Sequence, residues 1–242
     1  MMPVLALKGV SKAFGAVVVA DSLDVEIRQD EAIGIIGPNG AGKTSMFNLI
    51  TGTLRPDVGR IVYGDRDITN MPAPMRCREG IARSFQVPQP FGGMTVFENL
   101  LVAATQGAGE RGGRANASCL DVLDMTGLAG KANKTAGTLT LLERKRLELA
   151  RALCAKPRLL LLDEIAGGLT EFECETLVET IKRVSASGVS IIWIEHVVHA
   201  LIAVVDRLVV MDFGKKIAEG APRETMASRE VQEVYMGIEV DA

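Results

Sequence analysis

The apolar residues of this chain fall into short continuous runs that are separated by stretches of helical period. The runs at 32–36, 159–162, 189–194 and 208–211 have the length of β-strands, and four consecutive leucines form the second. A run without polar alternation fits a strand that is buried on both faces, as in a parallel sheet. Because helical stretches such as 171–185 lie between these runs, the pattern predicts an α/β fold.

Shorter strands are predicted in the rest of the chain by apolar residues next to turn residues. They are expected at 4–10, 17–27, 59–63, 81–85 and 216–218. Phe14 is expected in the turn between the first two of these strands.

Helices are predicted mainly in the middle of the chain. Thr95-Val96-Phe97-Glu98 is a capping box, which predicts a helix from about Val96 to Ala104. The glycines within 105–118 predict a flexible loop. Helical periodicity resumes at 120–125 and 141–153, and a short helix is expected to end the chain.

A glycine-rich segment, Gly37-Pro38-Asn39-Gly40-Ala41-Gly42-Lys43-Thr44, follows the first buried run. It matches the P-loop pattern, and a strand before it and a helix after it are the context that this motif requires. Glycines let the backbone turn its N–H groups toward an anion, and the positive end of the following helix adds to that attraction. The chain is therefore expected to bind a nucleoside triphosphate, with Lys43 reaching the β- and γ-phosphates and Thr44 binding Mg²⁺.

Two acidic residues, Asp163 and Glu164, directly follow the leucine run. They are expected at the carboxyl end of a strand, which is where ligands bind in open α/β sheets. Asp163 suits a residue that holds Mg²⁺ directly or through water. Glu164 suits a general base that polarises the attacking water. The alternative is a solvated acidic turn.

Three further residues keep two interpretations each. Gln86 is either solvated or senses Mg²⁺ and the attacking water. His196 either contacts the γ-phosphate or is structural. Phe14 either stacks on an adenine ring, since an aromatic face accepts any flat base, or belongs to the core.

The composition narrows the class of protein. A length of 242 residues suits one large domain or a domain with a subdomain. A net charge of −3 and an aromatic content of 4% argue against a nucleic-acid partner. No apolar run approaches the roughly 20 residues of a membrane span, and no secretion signal is visible. The four scattered cysteines indicate reduced thiols in a cytosolic protein, and His196 with His199 is not expected to bind zinc.

Together these motifs resemble the ATP-binding subunit of ABC transporters. The resemblance rests on Phe14, the P-loop, Gln86, residues 158–164 and His196, in that order, and it covers about 5–237. The chain is similar in particular to the subunits that serve branched-chain amino acid importers, through the stretches 47–52, 80–86, 93–100 and 216–220.

The resemblance implies a P-loop NTPase core with a mainly parallel sheet, an N-terminal antiparallel β subdomain and an inserted α-helical subdomain. It implies a single ABC ATPase domain over 4–237. The nucleotide-binding core with the β subdomain would comprise 1–86 and 157–237, and the helical subdomain with the signature loop would comprise 87–156. Residues 238–242 would form a tail.

The resemblance also implies a Mg²⁺-dependent ATPase that works as a head-to-tail dimer with a second ABC ATPase subunit, identical or different. The residues implied in ATP binding are Phe14, Gly37, Pro38, Asn39, Gly40, Ala41, Gly42, Lys43, Thr44 and Ser45, with Thr140 reaching the partner's ATP. Those implied for Mg²⁺ are Thr44, Gln86 and Asp163, and those for catalysis are Glu164, His196 and Gln86. The other partners would be integral membrane permease subunits, received near 91–100, and indirectly a solute-binding protein. The chain would lie at the cytoplasmic face of the plasma (inner) membrane, as a peripheral subunit.

One stretch departs from the family pattern. Leu139-Thr140-Leu141-Leu142-Glu143 stands where the family has the signature Leu-Ser-Gly-Gly-Gln. Thr140 keeps a hydroxyl for the γ-phosphate, but Leu141 and Leu142 replace glycines whose bare backbone approaches it closely. Glu143 adds a negative charge that weakens binding unless another group compensates. This departure predicts an asymmetric heterodimer in which the ATP site served by this loop is weak.

Three functions share these motifs. The leading one is a motor that drives import of branched-chain or related amino acids through separate membrane subunits. The alternatives are a soluble ABC-type regulatory ATPase and the ATPase of a lipid or lipopolysaccharide exporter. A single cassette without a coiled-coil insertion favours transport.

Overall fold

The computed structural model describes residues 3–236, so the predicted tail at 238–242 lies outside the described residues. The strands are β1 (Leu5–Phe14), β2 (Val17–Ile27), β3 (Ala32–Ile36), β4 (Val58–Tyr63), β5 (Arg66–Asp67), β6 (Ile81–Arg83), β7 (Leu159–Asp163), β8 (Ser190–Ile194), β9 (Arg207–Asp212) and β10 (Lys215–Gly220). The α-helices are α1 (Lys43–Thr51), α2 (Ala73–Arg78), α3 (Val96–Gln106), α4 (Gly112–Met125), α5 (Leu141–Cys154), α6 (Glu171–Ala186), α7 (Val198–Ile202), α8 (Pro222–Ala227) and α9 (Arg229–Met236). No helix within the described range is both long enough and apolar enough to span a membrane.

The strands form two sheets. The first is antiparallel, with the order β2-β1-β4-β5, and the second has the order β10-β9-β3-β8-β7-β6. In the second sheet β9, β3, β8, β7 and β6 run parallel, and β10 pairs antiparallel with β9. The expected mainly parallel sheet and N-terminal antiparallel β subdomain are confirmed. Because β3, β6, β7 and β8 are parallel, the residues that follow them meet at one edge of the sheet.

Both faces of the parallel sheet are buried, as the leucine run predicts. Leu159 and Leu161 pack with α1 and the antiparallel sheet, whereas Leu160 and Leu162 pack in the core that contains residues of α5, α6 and α7. A third core joins α3, α4 and α5. The P-loop helix α1 is therefore fixed between the two sheets.

The loop predicted at 105–118 is wrong over its second half, because α4 begins at Gly112. Its two glycines occupy the first turn, where the backbone N–H groups have no partner within the helix in any case. Ala115, Cys119 and Leu123 then recur at four-residue spacing and are buried against the neighbouring helices. Tertiary packing of this face outweighs the low helix propensity of glycine.

Phe14 does not lie in a turn, as predicted, but is the last residue of β1, opposite Val17 of β2. Only Gly15 and Ala16 connect the two strands, and the φ of Gly15 is +59°. A left-handed residue suits such a two-residue hairpin, so β1 extends further than the apolar pattern shows, whereas β2 has the predicted bounds. Strand β6, in contrast, is shorter than predicted, because it ends at Arg83 rather than at residue 85.

A buried arginine caps the C-terminal end of the P-loop helix. The guanidinium of Arg76 donates to the carbonyl oxygens of Leu49 (2.7 Å) and Ile50 (2.9 Å), which are at the end of α1. It also donates to those of Met71 (2.8 Å) and Thr69 (2.9 Å). Burial lowers the pKa of Arg76 to about 10, which still leaves it charged at neutral pH. The Leu49 carbonyl also accepts from the N–H of Gly52 at 3.3 Å. Among the described residues, Arg76 is therefore the donor for the carbonyl groups of Ile50, Met71 and Thr69.

We expect Arg76→Met to lower the free energy of unfolding by about 3 kcal/mol, because methionine fills the space but leaves buried carbonyl oxygens without donors. Chemical denaturation monitored by circular dichroism measures this difference. The matched control is Arg78→Met, an exposed arginine on the same helix, which should change the free energy by less than about 0.5 kcal/mol. Equal losses in the two variants would contradict the capping role.

Candidate functional site

The P-loop connects β3 to α1 in a conformation that depends on glycine. Gly37 and Gly42 have φ values of +154° and +95°. A β-carbon on Gly37 would collide with the carbonyl oxygen of Met211, and one on Gly42 with that of Val19. The loop therefore lies directly against β9 and β2, which fixes the position of its backbone N–H groups.

Lys43, the first residue of α1, directs its ammonium group back over this loop. Its Nζ is buried and donates to the carbonyl oxygens of Gly37 (2.7 Å) and Pro38 (3.0 Å). Burial lowers the pKa of Lys43, while the negative charges of Glu164 and Asp163 act in the opposite direction. The predicted phosphate-binding lysine and the two predicted acidic residues thus lie within electrostatic range of each other.

The side chains predicted to be catalytic meet at Glu164, which follows β7 with a φ of +46°. One carboxylate oxygen, Oε2, accepts a short hydrogen bond from Nε2 of Gln86. The other, Oε1, lies 3.0 Å from Nε2 of His196. The backbone carbonyl of Glu164 accepts from Nζ of Lys145 at 3.3 Å. Residues from the ends of β7 and β8 and from the segment after β6 therefore hold one carboxylate in place.

Asp163 is buried and forms an ion pair that the sequence analysis missed. Its Oδ2 accepts from Nη2 of Arg83 at 2.5 Å, and both side chains are less than one-tenth exposed. Nη1 of Arg83 donates to Oδ1 of Asn48 on α1 at 2.7 Å. Arg83 stands among apolar neighbours on a short predicted strand. Because a buried charge requires a partner, this position could have indicated the ion pair.

A second missed carboxylate supports the loop after Glu164. Glu195 is almost fully buried, and its oxygens accept from the backbone N–H groups of Ala166 (2.9 Å) and His196 (3.1 Å). Burial raises the pKa of Glu195. The sequence feature that could have revealed Glu195 is its position directly after a buried strand. Glu195 links the segment after Glu164 to the backbone at His196.

The oxygen donors at this edge fit Mg²⁺. Thr44 is exposed in the first turn of α1, and Asp163 and Gln86 supply a carboxylate and an amide oxygen. Within residues 3–236 no group of three or more His, Cys, Asp and Glu side chains is arranged to hold a metal ion. Protein sites for Mg²⁺ commonly use one or two oxygen ligands together with phosphates of the substrate, and this donor set is of that kind.

A groove of about 750 Å³ lies beside the site, between α1 and β6 on one side and α3 and α5 on the other. Its lining includes Phe14, Ser45, Phe85 and Phe91. Phe14 is 55% exposed, so the interpretation of Phe14 as a core residue is wrong. An exposed ring near α1 remains available for stacking.

The segment that departs from the family signature begins α5 as a capping box. The hydroxyl of Thr140 accepts from the backbone N–H of Glu143, whose carboxylate accepts from the N–H of Thr140. Oε1 and Oε2 of Glu143 also lie 3.2 Å and 3.6 Å from the Nζ atoms of Lys131 and Lys134. The hydrogen bond from Thr140 is the main reason that the pKa of Glu143 lies below its usual value. The negative charge that the sequence analysis expected is therefore compensated, whereas Leu141 remains half exposed.

Comparisons with known proteins agree with this geometry. A family profile described as ABC transporter matches residues 20–167. The high-affinity branched-chain amino acid transport ATP-binding protein LivG of Salmonella typhimurium is 35% identical, over 97% of this chain and 98% of that protein. BraF of Pseudomonas aeruginosa, which carries the same description, is 32% identical over 97% and 98%. The solved structure of a nucleotide-free ATP-binding cassette from an ABC transporter has a TM-score of 0.89 at 29% identity, covering 98% of this chain and 100% of that one.

The profile spans more than half of the chain, and the relatives align over nearly their whole length. The match includes the P-loop, Gln86, Asp163 and Glu164, which the structure places at one edge of the parallel sheet. This chain therefore belongs to the ABC transporter family, as an ATP-binding subunit with ATPase activity.

Proposed function

We propose that this chain is the motor subunit of an importer for branched-chain or related amino acids, at the cytoplasmic face of the plasma (inner) membrane. The observation that carries the proposal is the Glu164 carboxylate held between Gln86 and His196, beside the P-loop lysine. The choice of solute is supported by relatives that are described as branched-chain amino acid transport proteins.

In this proposal each side chain has a separate task. Glu164 accepts a proton from the water that attacks the γ-phosphate, and Gln86 and His196 orient its two oxygens. Lys43 and the P-loop N–H groups bind the phosphates. Thr44, Asp163 and Gln86 would hold Mg²⁺, and the bound ion would neutralise phosphate charge that develops during hydrolysis.

The helical segment at 87–156 is proposed as a separate subdomain that receives a membrane permease subunit. Its own core of α3, α4 and α5 supports this division. The groove described above runs along the boundary with the nucleotide-binding core at 1–86 and 157–237. Exposed Phe85 and Phe91 in its lining suit an apolar partner segment. A solute-binding protein would act indirectly, through the permease subunits.

The active assembly is proposed to be a head-to-tail dimer with a second ABC ATPase subunit. In that arrangement Thr140, which is exposed at the start of α5, faces the partner's ATP. The hydroxyl proton of Thr140 remains free to donate, because the oxygen acts as acceptor toward Glu143. Leu141 and Leu142 nevertheless keep the backbone away from the phosphate, so the partner's site is expected to be weak.

The double variant Leu141→Gly with Leu142→Gly is expected to tighten ATP binding at the partner's site by roughly tenfold, which is the worth of one hydrogen bond to a charged group. Equilibrium titration of the assembled dimer with a fluorescent ATP analogue, together with its ATP turnover, measures the change. The control is Leu120→Gly, an exposed leucine on α4. Unchanged affinity and turnover at both sites would contradict the asymmetric heterodimer.

Co-purification in mild detergent, followed by mass spectrometry, tests the assembly. We expect the tagged chain to bring down integral membrane subunits together with a second, similar ATPase. Recovery of the chain alone or with soluble proteins would contradict the transport role and favour a regulatory ATPase. Membrane partners of a lipid or lipopolysaccharide exporter would contradict import.

A further inference from the structure

The guanidinium of Arg83 lies at a junction of three elements around Asp163. Its Nη2 binds the carboxylate at the end of β7, and its Nη1 binds Asn48 on α1. The rings of Phe47 and Phe85 lie 5.4 and 5.1 Å from its central carbon. The position of this cation is thus fixed by two hydrogen bonds and two aromatic faces.

This junction is next to the proposed Mg²⁺ ligands. Asn48 lies one helical turn after Thr44, on the same face of α1. Arg83 therefore connects the carboxylate of Asp163 to the helix turn that presents the Thr44 hydroxyl. A guanidinium in this position neutralises the charge that would otherwise attract a divalent cation.

We propose that Arg83 is a positioning residue that competes with Mg²⁺ for Asp163 and so sets the Mg²⁺ concentration at which the subunit binds nucleotide tightly. The inference rests on the proposed role of Asp163 as a Mg²⁺ ligand. Without Mg²⁺, Arg83 keeps the buried carboxylate paired. When Mg²⁺ binds, the arginine charge opposes it, because two cations then share one carboxylate.

If the Arg83–Asp163 ion pair served only to stabilise the fold, removing Arg83 would leave the Mg²⁺ dependence of nucleotide binding unchanged. Among the described residues, Oδ1 of Asp163 has no hydrogen-bond partner, so one oxygen is free to face a cation while Arg83 holds Oδ2. Lys43 remains near Asp163 if Arg83 is replaced. The carboxylate therefore keeps a counter-charge in such a variant, and removing Arg83 removes mainly the competition with Mg²⁺.

The test titrates a fluorescent, non-hydrolysable ATP analogue into the full-length chain over a series of free Mg²⁺ concentrations at constant ionic strength. The readout is the Mg²⁺ concentration that gives half of the increase in nucleotide affinity. For Arg83→Gln and Arg83→Met we expect this concentration to fall by about tenfold, the order expected for one screened charge at short range. Arg83→Lys retains the charge but cannot bind Asp163 and Asn48 at once, so it should lower this concentration by only about twofold to threefold.

The matched control is Arg66→Gln, which removes an exposed arginine that pairs with Glu79 at 2.8 Å on the antiparallel sheet. It should leave the Mg²⁺ concentration unchanged. If the Gln and Met variants do not fold, Asn48→Ala releases one end of the guanidinium and is expected to lower the Mg²⁺ concentration by about twofold to threefold.

A half-maximal Mg²⁺ concentration that is unchanged or higher in the charge-removing variants would overturn the competition. A nucleotide affinity that does not depend on Mg²⁺ in the unchanged protein is a different result. It would overturn the proposed Mg²⁺ role of Asp163 and the inference with it.

Discussion

Replacement of Glu164 by Gln is expected to lower kcat for ATP hydrolysis by about 10²- to 10⁴-fold, the usual contribution of a general base. The variant has nearly the same shape, but an amide cannot accept the proton of the attacking water. Glu164 follows β7 and is not part of the phosphate-binding loop between β3 and α1. The affinity of the variant for ATP should therefore differ by less than about threefold from that of the unchanged protein.

Steady-state phosphate release gives kcat, and nucleotide titration gives the affinity. The control is Glu175→Gln, which removes an exposed carboxylate from α6 and should leave both quantities unchanged. Hydrolysis by the Glu164 variant at the rate of the unchanged protein would remove this residue from the role of base. The contacts of Glu164 with Gln86 and His196 would then serve only to support the loop.

Replacement of Lys43 by Met is expected to weaken ATP binding by about 10- to 100-fold, the worth of a charge-assisted hydrogen bond to a phosphate. Nζ of Lys43 is buried and donates to the carbonyl oxygens of Gly37 and Pro38, so its charge lies at the P-loop itself. Methionine preserves the length and apolar packing of the side chain, so the loss reports on the ammonium group.

Isothermal titration with ATP measures this effect, and a thermal unfolding curve shows whether the variant remains folded. Lys182→Met is the control, since Lys182 is exposed and pairs with Glu179, also on α6, at 2.8 Å. A Lys43→Met protein that binds ATP as tightly as the unchanged chain would contradict the assignment of the P-loop as the phosphate site.

The sequence predicts those features of the fold that depend on local pattern. Strand β7 is visible as four leucines because both faces of a parallel sheet exclude water. The P-loop is visible because its turn requires glycine at fixed spacing. The capping box at Thr95 correctly predicts the start of α3. In contrast, α4 was missed over 112–118, since its burial depends on contacts with α3 and α5 rather than on its own composition.

The sequence cannot predict the contacts that join distant parts of the chain. Gln86 and His196 lie 78 and 32 residues from Glu164, and only the order of the parallel strands brings them together. Arg83 and Asp163 are 80 residues apart and meet because β6 and β7 are neighbours. Hydrophobic periodicity predicts the individual strands and helices. The contacts between these distant residues depend instead on which strands are neighbours in the sheet.

Transport by the purified complex in vesicles is the most direct test of the motor role. The vesicles would contain labelled leucine and the solute-binding protein inside, with this chain and added ATP outside. An importer moves its solute toward the side of its ATPase, so ATP should drive leucine out of the vesicles, and the Glu164→Gln complex should not. Accumulation of solute inside, or movement that does not depend on ATP and Glu164, would contradict the account.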